Sequence, residues 1–155
     1  MSDQALAVVE RLWEVLNADD VVAALGDETL SAQVRATLAE IAEPDFEVKM
    51  HAPAELGGTA FEGRGADGFR AVWEEWVEPF EAFRIELAER ILSGDDVVDL
   101  VRLIATSKTG GIQVEHDGGA VWTVRDGRLA RAIFYLEQED ALEAAGLDPD
   151  RPTGK

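Results

Sequence analysis

The chain has 155 residues, 46% of them hydrophobic, with four tryptophans, which suits one soluble domain with its own core and argues against disorder. Acids outnumber bases 32 to 14, giving a net charge of −18, so DNA, RNA and anionic membranes, which are all held by clustered Lys and Arg, are not expected partners. There is no cysteine, hence no disulfide, thiol nucleophile or zinc–thiolate site. No apolar run approaches the roughly 20 residues that cross a bilayer, and Met1 to Gln4 lacks a signal-peptide start, so a cytoplasmic location is the expectation.

The first helix is expected from a cap at Ser2 or Asp3, with Ala5, Val8, Leu12 and Leu6, Val9, Trp13, Leu16 at helical spacing as far as Asn17-Ala18-Asp19-Asp20. A short helical piece, Val21 to Leu25, stops at Gly26-Asp27. A third helix follows, with Leu30, Val34, Leu38 and Ile41 on one stripe, ended by Pro44-Asp45. Phe46 to Met50 alternates like a first strand. The Gly-, Pro- and Ala-rich stretch 52–65 reads as a loop. Phe69, Val72, Trp73, Trp76 and Phe80 then share one side of a helix that Pro79 brings to its end.

From Phe83 to Leu136 the pattern is an antiparallel meander. Phe83, Ile85, Leu87 and Ile91 alternate with Arg84, Glu86 and Arg90, and Ser93 to Asp96 turns the chain. Val97 to Ala105 is apolar on both faces except for Asp99 and Arg102, the mark of a central strand covered on both sides. After Thr109-Gly110-Gly111, the even positions Ile112, Val114, His116, Ala120, Trp122 and Val124 form an apolar face interrupted by one histidine. Asp117-Gly118-Gly119 is a candidate bulge. Leu129 to Leu136 is the last strand, and Ala141, Leu142 and Leu147 suit a closing helix. The chain thus reads as one domain, 1–147, with a frayed tail, 148–155.

Several motifs carry a family resemblance over about residues 5 to 147. Phe61-Glu62-Gly63-Arg64-Gly65 with Gly68-Phe69-Arg70 resembles the aromatic-x-Gly-Arg-x-Gly approach to a long helix, and Trp73 and Trp76 resemble its aromatic pair. Val121-Trp122-Thr123-Val124-Arg125-Asp126-Gly127 looks like a VWT-x-R-D-G strand and turn, and Tyr135-Leu136 followed by Ala141 to Leu147 is similar to the usual ending. The chain is identified on these grounds as resembling the SnoaL-like, NTF2-like family. That resemblance implies an α+β cone, a curved antiparallel sheet wrapped around N-terminal and central helices. The stretch Val21 to Glu43 is about a dozen residues longer than the family's usual link, and so bears on the mouth of any pocket.

The resemblance also implies a mostly apolar cavity suited to a small hydrophobic molecule. It places Met50, Leu12 and Ala120 where ketosteroid isomerases carry their aspartate base and their tyrosine–aspartic acid pair. Phe134 falls where SnoaL-type cyclases carry an aspartate. Val101, Leu103 and Phe134 fall on the Asp-Arg-Asp set of limonene epoxide hydrolases. None of these side chains moves a proton. The remaining inward candidates for acid–base work are His116, His51 and Asp99. A simple hairpin pairs His116 near Leu103 and leaves Asp99 roughly 13 Å along the strand, so the two are no dyad.

The expected ligand-binding wall is Met50, Trp73, Trp76, Val101, Leu103, Trp122 and Phe134, with Trp13 a further candidate. No metal or cofactor is expected: the two histidines lack ligand spacing, and no glycine-rich phosphate loop stands in a βαβ setting. Three readings compete. The protein shelters a small hydrophobic molecule, or is an isomerase, cyclase or hydrolase with a histidine acid–base, or is an interaction module with a filled cone. A homodimer through the outer sheet face is expected from Val98, Leu100 and Ile104, extended by Ile133 and Tyr135.

Overall fold

The protein is described by a computed structural model over residues 2–16, 19–51 and 59–147. The expected tail 148–155, the first part of the expected loop (52–58), and Asn17-Ala18 lie outside the described residues. Within the described residues the chain forms α1 (Ser2–Val15), α2 (Val21–Leu25), α3 (Glu28–Ile41), β1 (Ala42–His51), β2 (Thr59–Arg64) and α4 (Gly65–Val77). β3 (Phe80–Ser93), β4 (Asp96–Ser107), β5 (Gln113–Arg125), β6 (Arg128–Tyr135) and α5 (Gln138–Ala144) follow. The strands make one curved, unclosed sheet in the order β2-β1-β6-β5-β4-β3. All neighbours are antiparallel except β1 and β6. This is an α+β, NTF2-like architecture.

Helix α1 buries Ala5, Val8, Val9 and Leu12, one stripe at helical spacing, against the concave side of the sheet. The segment Val21 to Ile41 folds as a helical hairpin because each helix has its own acidic cap. The Asp20 carboxylate accepts from the Ala23 N–H (3.3 Å) and that of Asp27 from the Leu30 N–H (3.1 Å). Two boundaries differ from expectation. Pro44 lies within β1, where the ladder to β6 skips from Ala42 to Glu47, the kind of irregularity at which a strand tolerates a residue without an N–H. Phe80 begins β3 instead of ending α4.

The expected loop over 52–65 conceals β2, an edge strand that the Gly-rich composition masks. Its glycines have a packing reason. A Cβ on Gly63 would lie 2.7 Å from the Gly68 Cα, so β2 and the first turn of α4 touch backbone to backbone. Gly65 has φ +67 with the Pro44 carbonyl 2.7 Å from where a Cβ would stand. The Gly-Arg-x-Gly motif is thus a device for seating α4.

The meander forms as expected, with one consequential irregularity. Between Leu87 and Glu89 the β3–β4 register slips by a residue, so Ala88 is an extra residue in β3. Arg90 therefore pairs with Asp99 on the concave side, and Ile91 pairs with Val98 on the outer side. The alternation expected from sequence had Ile91 on the face of Phe83 and Ile85. The bulge considered at Asp117-Gly118-Gly119 is absent from the β4–β5 ladder, which runs unbroken from Asp96↔Thr123 to Thr106↔Gln113. Those glycines serve a close approach: a Cβ on Gly118 would stand 2.8 Å from the Tyr135 carbonyl oxygen, and one on Gly119 the same distance from the Ala141 methyl.

The core lies on both sides of the sheet. The larger cluster lies on the concave side between α1, α3, α4 and the strands, with Trp73 buried and Trp76 packed against it. The smaller one lies outside, where Ala141 and Leu142 of α5 cover Val98, Leu100, Val121 and Tyr135. This changes the basis for expecting pairing through the outer face. Val98, Leu100 and Tyr135 are buried by the chain's own α5, while Ile104 and Ile133 are half-buried. The uncovered part of that face carries Arg84–Glu86 and Arg102–Glu115–Asp117 ion pairs.

Candidate functional site

The concave side is not filled. A cavity of about 470 Å³ lies between the sheet, α1, α4 and the α2–α3 hairpin. The sheet contributes Ile85, Val101, Leu103, Ala120, Trp122 and Phe134, and α4 contributes Phe69, Arg70, Trp73 and Trp76. Trp13 and Leu16 come from α1 and its end. The remaining wall, from Val21 and Leu25 to Val34 and Leu38, is made by the α2–α3 hairpin, the segment expected to bear on the mouth. Lining residues Glu28, Ala32 and Arg35 are exposed, so this hairpin also marks the side open to solvent.

The wall is built from interlocked rings. Trp73 lies 4.8 Å from Trp76 and 5.0 Å from Phe134, centroid to centroid, and Trp122 meets Phe134 edge-on at 5.5 Å. Such tilted and edge-on contacts suit the aromatic quadrupole and fix ring orientation. Of the seven expected wall residues, Trp73, Trp76, Val101, Leu103, Trp122 and Phe134 line the cavity. Met50 is buried in the core outside the lining.

At the closed end stands Asp99, 0% exposed. Its Oδ1 accepts from Arg90 Nε (2.6 Å). Its Oδ2 accepts from Arg90 Nη2 (3.0 Å), Trp13 Nε1 (2.9 Å) and Trp122 Nε1 (3.0 Å). The Arg90 guanidinium also sits 5.7 Å from the centroid of the Trp13 ring. Four donors engage this carboxylate, and it is not among the lining residues. Both indoles turn their N–H groups toward Asp99 and leave hydrocarbon to the cavity. The bulge at Ala88 makes this possible, because without it Arg90 would face outward.

The two histidines stand elsewhere. His116 pairs with Leu103 in the sheet, as the simple hairpin implied, but it is exposed and outside the lining. Its Nε2 meets the Leu136 carbonyl oxygen and lies 3.3 Å from a Glu137 oxygen, tying β5 to the turn before α5. Being on the apolar face was not enough, because the cavity ends near Leu103. His51, at the end of β1, meets Tyr135 at a tilt, 5.1 Å between ring centroids, and leaves Nδ1 buried without a partner among the described residues. Asp99, His51 and His116 are thus not brought together. Among the described residues no group of three His, Asp or Glu is arranged to hold a metal ion.

Sequence reasoning missed the polar groups that do line the cavity: Glu28, Ser31, Arg35 and Arg70. Arg70 donates through Nε to Glu74 (3.0 Å), through Nη1 to Ser31 Oγ (2.6 Å) and through Nη2 to the Leu25 carbonyl oxygen. It thereby latches α4 to both helices of the hairpin. Arg35 pairs with Asp67 across the surface. The available signal was Arg70 following Phe69 on α4, since the residue next to a core position points along the edge of the buried face.

Among curated proteins, none matches the chain by sequence. Similar folds are found among solved structures. One is a SnoaL-like polyketide cyclase, so named provisionally, from Jannaschia sp. CCS1, with 19% identity over 97% of this chain and 95% of that one and a TM-score of 0.62. Another is TerC co-crystallised with polyporic acid, with 18% identity, coverages of 92% and 98%, and a TM-score of 0.56. A third is an NTF2-like protein from Burkholderia xenovorans, with 18% identity, coverages of 94% and 97%, and a TM-score of 0.58. At these identities the likeness is one of fold. The SnoaL-like domain model matches residues 9–132, the span that contains all six strands but the end of β6 after Ala132, and the chain belongs to the SnoaL-like family of the NTF2-like fold.

Proposed function

We propose that the protein binds a flat, hydrophobic small molecule in the cavity between sheet, α4 and hairpin, and that it does so without proton-transfer chemistry. The observation that carries this reading is the way the closed end is built. Asp99 takes up the polar atoms of Trp13 and Trp122, so that an aromatic wall faces an empty space of about 470 Å³. That volume falls in the range of small-molecule sites, which are mostly apolar with few polar groups. A filled cone, the interaction-module reading, does not suit a space of this size.

The enzyme reading with a histidine acid–base has less support, because neither imidazole lines the cavity. A general base must reach the proton it removes, within about 3 Å or through one water. Asp99 has its oxygens engaged, and the positions matched to known catalytic acids hold Met50, Leu12, Ala120, Phe134, Val101 and Leu103. A homodimer through the outer sheet face keeps Ile104 and Ile133 as its apolar support. Light scattering at micromolar concentration reads it directly, a doubled mass being the supporting result.

Nile red, whose emission shifts to the blue in apolar surroundings, tests the binding reading. One equivalent per chain is expected to bind, and Ala24→Trp, which fills the cavity from α2, is expected to abolish binding while the circular dichroism stays unchanged. A folded wild-type protein that leaves Nile red emission unshifted would sink the proposal. Native mass spectrometry of the purified chain then asks which molecule co-purifies.

A further inference from the structure

We infer that Arg70, with Ser31 beside it, reads a carboxylate on the ligand, so that the molecule taken up is a flat hydrocarbon body carrying an acid group at the mouth end. This rests on the binding reading above and deepens it. An apolar wall gives affinity without direction, and orientation has to come from the polar groups that interrupt it. At the closed end no such group faces the cavity, since both indole N–H groups go to Asp99 and neither Asp99 nor Arg90 is among the lining residues. Direction therefore comes from the mouth, where Glu28, Ser31, Arg35 and Arg70 line the cavity.

Arg70 is the group placed for this. Its side chain is 37% exposed, against 57% for Arg35, which is turned to Asp67 on the surface. Less solvent around a charged donor means a stronger hydrogen bond. A guanidinium has five N–H donors in a planar fork. Three of Arg70's are engaged, Nε with Glu74, one on Nη1 with Ser31 Oγ and one on Nη2 with the Leu25 carbonyl oxygen. Among the described residues, one N–H on each terminal nitrogen has no partner. Two spare donors on adjacent nitrogens match the two oxygens of a carboxylate better than a single carbonyl. The Ser31 hydroxyl accepts from Arg70 and still has its own proton to give. The three existing bonds hold the guanidinium still, so little rotamer freedom is lost when the acid arrives. The net charge of −18 does not forbid this, because repulsion from distant carboxylates is screened within about 10 Å at ordinary ionic strength.

Two probes of matched shape test the inference, 2-naphthoate and 2-methylnaphthalene, each displacing Nile red from the full-length chain. The acid is expected to bind at least tenfold more tightly than the hydrocarbon, the scale of one or two charge-assisted hydrogen bonds. Arg70→Met should erase that preference and leave the affinity for 2-methylnaphthalene within about twofold of wild type. Ser31→Ala, which retains the Arg70 contact to Leu25, should lose a smaller part of the preference, and it keeps the test open if Arg70→Met folds poorly. Equal affinities of the wild type for the two probes would overturn the inference. So would an Arg70→Met protein that loses both probes alike, because Arg70 would then only latch the hairpin. If wild type binds neither Nile red nor either probe, the binding reading itself has failed, an outcome distinct from both.

Discussion

The two ends of the cavity solve opposite problems with the same residue types. At the closed end an arginine and two tryptophans all donate to one buried aspartate, and polarity is withdrawn from the space. At the mouth an arginine also bonds an acid, a hydroxyl and a carbonyl, but itself lines the cavity. The difference lies in what each arginine is made to face. Arg90 meets a carboxylate buried beneath two indoles, where an unpaired charge would be costly, and it stays out of the lining. Arg70 stands at the edge of α4, where water or a ligand can supply what the protein does not. Burial thus decides which polar cluster is structural and which is open to binding.

Breaking the closed end should have the largest effect. Asp99→Ala leaves the largely covered Arg90 guanidinium and two indole N–H groups without their acceptor, and is expected to cost about 3–5 kcal/mol of stability in urea unfolding. A loss below about 1 kcal/mol would mean that this end does not depend on the pair. The mouth should respond more weakly. Asp27→Ala removes the cap of α3 and is expected to cost about 1 kcal/mol, with faster amide exchange in the first turn of that helix. Arg35→Ala breaks an exposed ion pair and should change stability by about 0–1 kcal/mol.

The smallest effect at neutral pH belongs to neither end. Burial raises the pKa of Tyr135 above the usual phenol value, with the Arg131 charge opposing the rise. The folded state therefore holds this proton more tightly than the unfolded chain. The associated stability is complete below the unfolded phenol pKa of about 10 and is lost as pH climbs through the raised folded value. Tyr135→Phe should leave neutral stability nearly unchanged and flatten the decline in denaturation midpoint above pH about 10.

Most of the architecture is legible in residue spacing. The three N-terminal helices, the meander and its register about Leu103 and His116 follow from periods of 3.6 and 2 and from the turn glycines. What eludes spacing is whatever depends on approach between distant segments. β2 is hidden because Gly63, which sits against Gly68 of α4, and Gly65 just after the strand read as loop residues. The cavity wall is legible in Val101, Leu103, Trp122 and Phe134, which share an inward parity on their strands, and in Trp73 and Trp76, which share one side of α4. His116 shares it too, yet parity along a strand does not say where the cavity ends. Arg70 and Ser31 are invisible to pattern reading, because their relevance arises only when α4 and the hairpin meet.

Ala88 in β3 has a bearing on how related sequences are aligned. A strand is read in steps of two, so a single extra residue acts like a shift of reading frame: everything downstream changes sides while the letters stay the same. An ungapped alignment of this strand with a relative lacking that residue would match Arg90 to outward-facing positions and Ile91 to inward ones. It would make the Arg90–Asp99 pair look accidental. The presence of one small, chemically silent residue is therefore a better marker of this cavity's closed end than the charged pair it brings together.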